Sequence, residues 1–152
     1  MDSMNELIIK IVDKATERVA KELVIKGLTE HFGSYDATFN PDLESILKYY
    51  TEAGELFFVA LDNEKVVGAG ALIKENHEVG RIVRMSVDKE CRGQGIAKKI
   101  ISSIEQAAKD KNYKQIVLET NNDWYDAIGL YKSCGYIQVC DDGTDVHFTK
   151  NL

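Results

Sequence analysis

The sequence predicts an α+β domain of the three-layer type, with helices flanking a mixed, mostly antiparallel sheet. Three observations predict it. Strand-like and helix-like segments are interspersed in the order βααβββαβαββ. Hairpins stand early and late in that order. Between them lies a strand–loop–helix–strand unit, which requires a parallel, right-handed crossover. The chain has 152 residues, 44% of them apolar and 29% charged, and a domain of that size buries about 68–70% of its unfolded surface. No repeat, low-complexity tract or Pro/Ser-rich linker interrupts it, so one continuous domain over residues 1–152 is expected.

Residues 7–12 (LIIKIV) form a short β-branched apolar run, hence a strand. From Asp13 the period changes: Val19, Leu23 and 26–27 recur at helical spacing beside Ala20, Val24 and Leu28, giving a helix that ends near 32–33. Residues 33–40 read as a loop. Pro41, the only proline, opens a second helix capped by Asn40, with Leu43, Ile46, Leu47 and Tyr50 inward and Gly54 at its end. Residues 56–61 (LFFVAL) and 66–73 form a hairpin around the turn 62–65, and Val79–Val87 (VGRIVRMSV) is the next strand. A helix follows from 95–96 to 111, with Ile96, Ile100, Ile104 and Ala107/Ala108 on one face. Residues 115–120 form a strand, 124–134 a helix ended by Gly135, and 136–140 with 145–149 a final hairpin.

Composition excludes several functions. With 19 basic and 25 acidic side chains the net charge is −6, which disfavours general nucleic-acid binding, where basic patches supply most of the affinity. No run of about 18 apolar residues crosses a membrane. The polar residues 1–6 and the short run 7–12 do not make a secretory signal. The three cysteines, Cys91, Cys134 and Cys140, have no Cys-x-x-Cys spacing, so reduced thiols in a cytoplasm are expected. Cys91 reads as a small half-buried residue rather than a nucleophile. His31, His77 and His147 lack ligand spacing, and no metal is expected.

The chemistry concentrates in residues 84–99, RMSVDKECRGQGIAKK. A strand ends at Val87, a loop carries Arg92, Gly93 and Gly95, and a helix starts at 95–96 with no Ser, Thr, Asp or Asn to cap it. Its first turn carries Lys98 and Lys99 instead of carboxylates, which is unfavourable by roughly 0.3–1 kcal/mol per charge. Both oddities vanish if an anion caps the helix: glycines admit phosphate oxygens to the backbone, and Arg92, Lys98 and Lys99 neutralise their charge. The third glycine of a dinucleotide fingerprint and the Gly-Lys-Ser/Thr of a P-loop are both absent.

Arg92-x-x-Gly95-x-Ala97 resembles the acetyl-CoA-binding motif of the GCN5-related N-acetyltransferase (GNAT) family, Gln/Arg-x-x-Gly-x-Gly/Ala. Residues 82–87 resemble that family's fourth strand, and residues 127–136 its Ala-x-x-Leu-Tyr-x-x-x-Gly-Phe signature. The resemblance is strong from about 56 to 136 and weak before 43. It implies the GNAT acyl-CoA N-acyltransferase fold and direct acetyl transfer from acetyl-CoA, as cosubstrate, to a primary amine. It also implies site residues. The backbone of Met85, Ser86 and Val87 would pair with the pantetheine arm, and the Met85 amide would meet charge on the thioester oxygen. The amides of Arg92, Gly93, Gln94, Gly95, Ile96, Ala97 and Lys98 would hold the pyrophosphate. Tyr131 would protonate the leaving thiolate.

Two positions depart from the family pattern. Arg81 stands where members often place a basic Glu, leaving Glu119 as the first candidate base, ahead of Glu78 and His77, with a water relay as the alternative. Trp124 lies near the position of the pantetheine-contacting Asn, for which Asn121 or Asn122 substitutes.

The amine site is expected between the first helices and the end of the sheet, lined by the 32–39 loop, with Tyr35 and Asp36 as substrate-binding residues, and by the 141–145 turn. Asp36, Asp141, Asp142 and Asp145 favour a cationic amine, a small molecule ahead of a protein lysine. The alternative is a non-catalytic acyl-CoA-sensing module that regulates a partner. An exposed edge strand would permit a homodimer.

Overall fold

The computed structural model describes residues 7–152; the polar stretch 1–6 lies outside them. Among the described residues seven strands form one sheet: β1 (Leu7–Ile11), β2 (Leu56–Asp62), β3 (Lys65–Lys74), β4 (Val79–Val87), β5 (Gln115–Asn121), β6 (Ile137–Asp141) and β7 (Asp145–Asn151), in the spatial order β1-β2-β3-β4-β5-β7-β6. Of these seven strands β4 and β5 pair in parallel, and each of the other neighbouring pairs is antiparallel. The expected crossover carries the 15-residue helix α2 (Ile96–Asp110) between them. The β2–β3 turn is tight because Asn63 and Glu64 both take positive φ, 50° and 71°, the geometry that matches strand twist in a two-residue hairpin.

Two apolar layers cover the sheet. On one face α1 (Glu17–Phe32) buries Ala20, Leu23, Val24 and Gly27 against Phe57, Val59, Ala69 and Ala71. On the other, α2 turns Ile96, Ile100, Ile101, Ile104 and Ala108 inward, joined by Tyr131 of α3 (Tyr125–Ser133). Ile100 and Ile104 have no exposed surface, each a burial of about 1.5–3 kcal/mol. The start of α1 is prepared locally: the Asp13 carboxylate accepts from the Thr16 amide (3.0 Å) and hydroxyl (2.8 Å), while the Thr16 hydroxyl accepts from the Asp13 amide (3.0 Å). Gly33, at φ 81°, closes it.

The second helix differs from the sequence expectation. Pro41–Glu44 is a 3-10 turn, Ser45 is extended (φ −150°), and the chain then makes a π-helical turn over Leu47–Thr51. Asn40 does not cap; its side-chain amide donates to the Asp36 carbonyl (2.8 Å). Tertiary partners break the helix. The Glu17 carboxylate accepts from the Leu47 amide (2.9 Å) and the Ser45 hydroxyl (3.4 Å), and Asp42 is drawn to Arg84 and Tyr50. The expected apolar positions Leu43, Ile46 and Tyr50 are nevertheless buried.

Candidate active site

The site begins where β4 and β5 part. They pair only over Val79–Arg81 and Gln115–Val117. Beyond that, β4 follows β3 to Val87 and β5 follows β7 to Asn121. A bulge widens the gap: Ala71 faces Val83 and Ala69 faces Ser86, so Gly70 alone stands opposite Arg84 and Met85, and Arg84 takes a left-handed φ of 59°. Bulges of this kind bend a strand and end its pairing. The resulting cleft, about 620 Å³, is lined by Ile82 through Val87, by Glu119 and Thr120 on β5, by Arg92, Gly93 and Gly95–Lys98, and by Ala127, Leu130 and Tyr131 of α3.

At one end of the cleft α2 starts without a side-chain cap. Its first intrahelical bond runs from the Lys99 amide to the Gly95 carbonyl (3.1 Å), so the amides of Ile96, Ala97 and Lys98 are the free donors of a helix start. Gly95 takes φ 81°, a conformation other residues reach only under strain. The Arg92 side chain is otherwise engaged: its guanidinium forms a fork with Glu30 of α1 (3.0 and 3.1 Å), and its Nε donates to the Val87 carbonyl (3.2 Å). Arg92 thus fastens the loop to α1 and β4, while Lys98, in the first turn of α2, also lines the cleft.

Tyr131 is buried, packs edge-on to Tyr136 and tilted against Phe148, and lines the cleft. Burial pushes its phenol well above the ordinary tyrosine value, helped by nearby Cys134, so it stays a proton donor. Glu119 also lines the cleft, ion-paired with Arg81, which forks to Glu75 (3.0 and 3.1 Å). Arg81 therefore binds two carboxylates. Glu119 stands opposite His147 on β7; a bond to Asp142 (2.9 Å) raises the His147 pKa. Cys91 borders the cleft, and burial pushes its thiol up, which removes a nucleophilic thiolate.

Tyr35, Asp36, Gln94, Asn121 and Asn122, all singled out in the sequence, lie outside the cleft lining, as do Asp141, Asp142 and Asp145. Asn122 faces the β6–β7 turn, its amide group directed at Asp141 (3.4 Å) and its backbone donating to Thr144 (2.9 Å). Asn121 ties Asp145 (2.8 Å) to His31 (3.2 Å) instead. Asp36 spends its carboxylate on the Thr38 amide (2.9 Å) and hydroxyl (2.6 Å), capping a 3-10 turn. Tyr35 packs at the edge of the α1 layer. Gln94 is absent from the lining to which its neighbours Gly93 and Gly95 contribute.

Conversely, α1 contributes Val24, Gly27 and Leu28 to the lining, and α3 begins beside Trp124, which lines it too. A Cβ on Gly27 would lie 2.6 Å from the Ser86 hydroxyl, so a glycine here lets α1 close on β4. Trp124 stacks flat on His31 (4.0 Å between centroids, 9°). The glycine inside an otherwise regular helix was the one sequence signal for this wall.

The acetyltransferase (GNAT) family model matches residues 19–136 of this chain. N-acetyltransferase 8B of Homo sapiens is 40% identical over 107 residues, 66% of this chain and 47% of that protein. The chain spans about half the length of the curated relatives it matches. An acetyltransferase of the GNAT family from Staphylococcus aureus Mu50 superposes with a TM-score of 0.86 at 23% identity, covering 96% of this chain and 99% of that one. The PaiA N-acetyltransferase of Thermoplasma acidophilum, solved in complex with coenzyme A, superposes with a TM-score of 0.82 at 16% identity, covering 96% and 99%.

Proposed function

The chain belongs to the acetyltransferase (GNAT) family, and from that premise we propose that it transfers an acetyl group from acetyl-CoA directly to a primary amine. One observation carries the reading: the cleft opened by the parting of β4 and β5 joins an uncapped helix start to a buried phenol. The residues present fit the cosubstrate. The free amides at the start of α2, with Gly93, Gly95 and Lys98, suit a pyrophosphate. The β4 edge from Met85 to Val87, left without a strand partner on the β5 side, offers main-chain donors and acceptors to an amide-bearing arm.

This chain's residues then divide the work. The Met85 amide meets the negative charge that develops on the thioester oxygen. The new C–N bond forms as the C–S bond breaks, and Tyr131 delivers a proton to the departing thiolate. The phenol is suited to donating because burial keeps it protonated. Glu119, which lines the cleft and is held by Arg81, is the base we assign to the incoming amine, with a water relay as the alternative. The acceptor in this reading is a small-molecule amine, although the acids of the β6–β7 turn expected to favour it stand outside the cleft lining, Asp142 bonded to His147 (2.9 Å) and Asp145 to Asn121 (2.8 Å); a cytoplasmic setting accords with the thiols. Among the described residues no helix is long and apolar enough to cross a membrane.

A second reading is favoured by the Arg81–Glu119 pair, which occupies the carboxylate: a module that binds acyl-CoA and regulates a partner. Calorimetric titration with acetyl-CoA and with desulfo-CoA, followed by a thiol-release screen over amines, separates the two. Binding with turnover supports the transferase; binding without turnover on any amine supports the sensor. Absence of binding overturns both. In the transferase, Tyr131→Phe lowers kcat about a hundredfold with little change in acetyl-CoA affinity. Wild-type kcat is expected to show no loss from phenol ionisation up to about pH 10 in a pH–rate profile, because burial keeps the Tyr131 proton beyond the usual tyrosine range.

A further inference from the structure

We propose that the ion pair between Arg84 and Asp42 sets the direction of the Met85 amide, which makes both residues positioning residues for the acetyl transfer proposed above, the reading on which this inference rests. The flanking residues Val83 and Ser86 are each registered to β3. Between them two residues span the space of one, so the intervening peptide has no ladder partner of its own to orient it. That peptide carries the Met85 N–H, and its plane follows the backbone of Arg84, which stands at φ 59°.

An arginine has no local reason to adopt this conformation. The reason is at the other end of its side chain. The guanidinium makes a two-pronged contact with Asp42: Nε to Oδ2 at 2.9 Å and a terminal nitrogen to Oδ1 at 2.7 Å. Such forks fix orientation as well as distance. Asp42 is itself held, because Oδ2 also accepts from the Tyr50 hydroxyl (2.5 Å) and the adjoining Leu43 is completely buried. Only 18% of the Arg84 side chain and 20% of the Asp42 side chain are exposed. Burial opposes ionisation of Asp42, yet the bonds from Arg84 and Tyr50 outweigh it and hold the carboxyl below its usual range. The broken second helix thereby acquires a role: its 3-10 turn carries the acid that reaches the bulge. Arg84 also lines the cleft beside Met85, so the tether ends where the thioester carbonyl is proposed to sit.

Two variants of the full chain test this. Asp42→Asn keeps the shape and removes the charge. Arg84→Gly removes the tether while permitting the left-handed backbone at no steric cost, so loss of function there is not loss of the bulge. Both are expected to lower kcat by about ten- to a hundredfold, the scale of a misplacement of about 1 Å. The acetyl-CoA Kd should stay within about twofold, since the pyrophosphate end is untouched. In the protein without cosubstrate, amide hydrogen exchange should accelerate at 84–86 and not at 79–82.

Wild-type kcat in Arg84→Gly overturns the proposal. So does a kcat loss matched by an equal loss of affinity, or exchange that rises throughout the sheet, because a merely structural pair would give either. If the wild type binds acetyl-CoA and acetylates no amine, the transferase reading fails separately. Exchange then still decides the tether, which stands if acceleration is confined to 84–86 and falls if there is none.

Discussion

Among the helical segments that begin without a side-chain bond from their own cap residue, the turn at Leu47 and the helix α2 are treated differently by the molecule. At Leu47 the half-buried amide is met by the carboxylate of Glu17, 30 residues earlier in the chain, at 2.9 Å. At Ile96 no side chain arrives. Gly95 takes the left-handed region there, whereas a capping side chain works from an extended backbone. No acidic residue stands in the first turn, and Lys98 and Lys99 oppose the helix dipole. Stability alone explains the first arrangement. The second is explained by an anion that completes the helix from outside, as the proposed pyrophosphate does. The acid that caps one helix start is a stable part of the fold; at the other the cap is left to the cosubstrate.

The contrast is broken most completely at Gly95. A tryptophan there fills the approach to the free amides and also strains a backbone at φ 81°, a cost of about 1–2 kcal/mol that the fold can absorb. Gly95→Trp is expected to abolish the calorimetric signal for acetyl-CoA while the circular dichroism spectrum stays that of the wild type. Unchanged affinity in that folded variant removes the anion site, and with it the reason for the uncapped start.

The same contrast marks what the sequence discloses. The α2 start was legible because its signals are local: two glycines, two lysines and a missing cap within a few residues. The strand and helix order was legible for the same reason, each element carrying its own period. The helix expected over 41–54 failed because its competitors are distant: Glu17 takes the Leu47 amide, and Arg84, 42 residues on, takes Asp42. The side-chain assignments in the cleft met the same difficulty. Arg92 belongs to Glu30, 62 residues away, and Glu119 to Arg81, 38 residues away. Nothing in the spacing of charged residues announces which pairs a sheet will bring together. Asn122 shows the finer version: at the end of a strand one residue decides the face, and Asn122 turned to the β6–β7 loop while its neighbour Asn121 reached α1.

A smaller effect tests the tertiary cap. Glu17→Ala leaves the Leu47 amide without its acceptor and should cost about 1–2 kcal/mol, lowering Tm by about 2–8 °C. Glu17→Gln, which keeps an acceptor oxygen, should cost less. Neither should change the acetyl-CoA Kd, because the Glu17 contact lies outside the cleft. A Kd that weakens in step with Tm means that the two helix starts are coupled and that the contrast between them is false.

The smallest effect has the opposite sign and sharpens the contrast most. Lys98 is the third residue of α2, where a helix on its own prefers Glu, which lies favourably in the dipole and can reach back to the start of the helix. Lys98→Glu should therefore raise stability by about 0.5–1 kcal/mol, a Tm gain of about 1–4 °C. The same change sets a carboxylate beside the proposed pyrophosphate and should weaken acetyl-CoA binding at least several-fold, with both effects shrinking as salt screens them. If Lys98→Glu lowers Tm, the lysine is part of the folded structure's own stability. If it leaves the Kd unchanged, the lysine has no anion to meet. A gain in stability joined to a loss of affinity at one side chain identifies a residue kept against the preference of its own helix, and only an external anion supplies the reason.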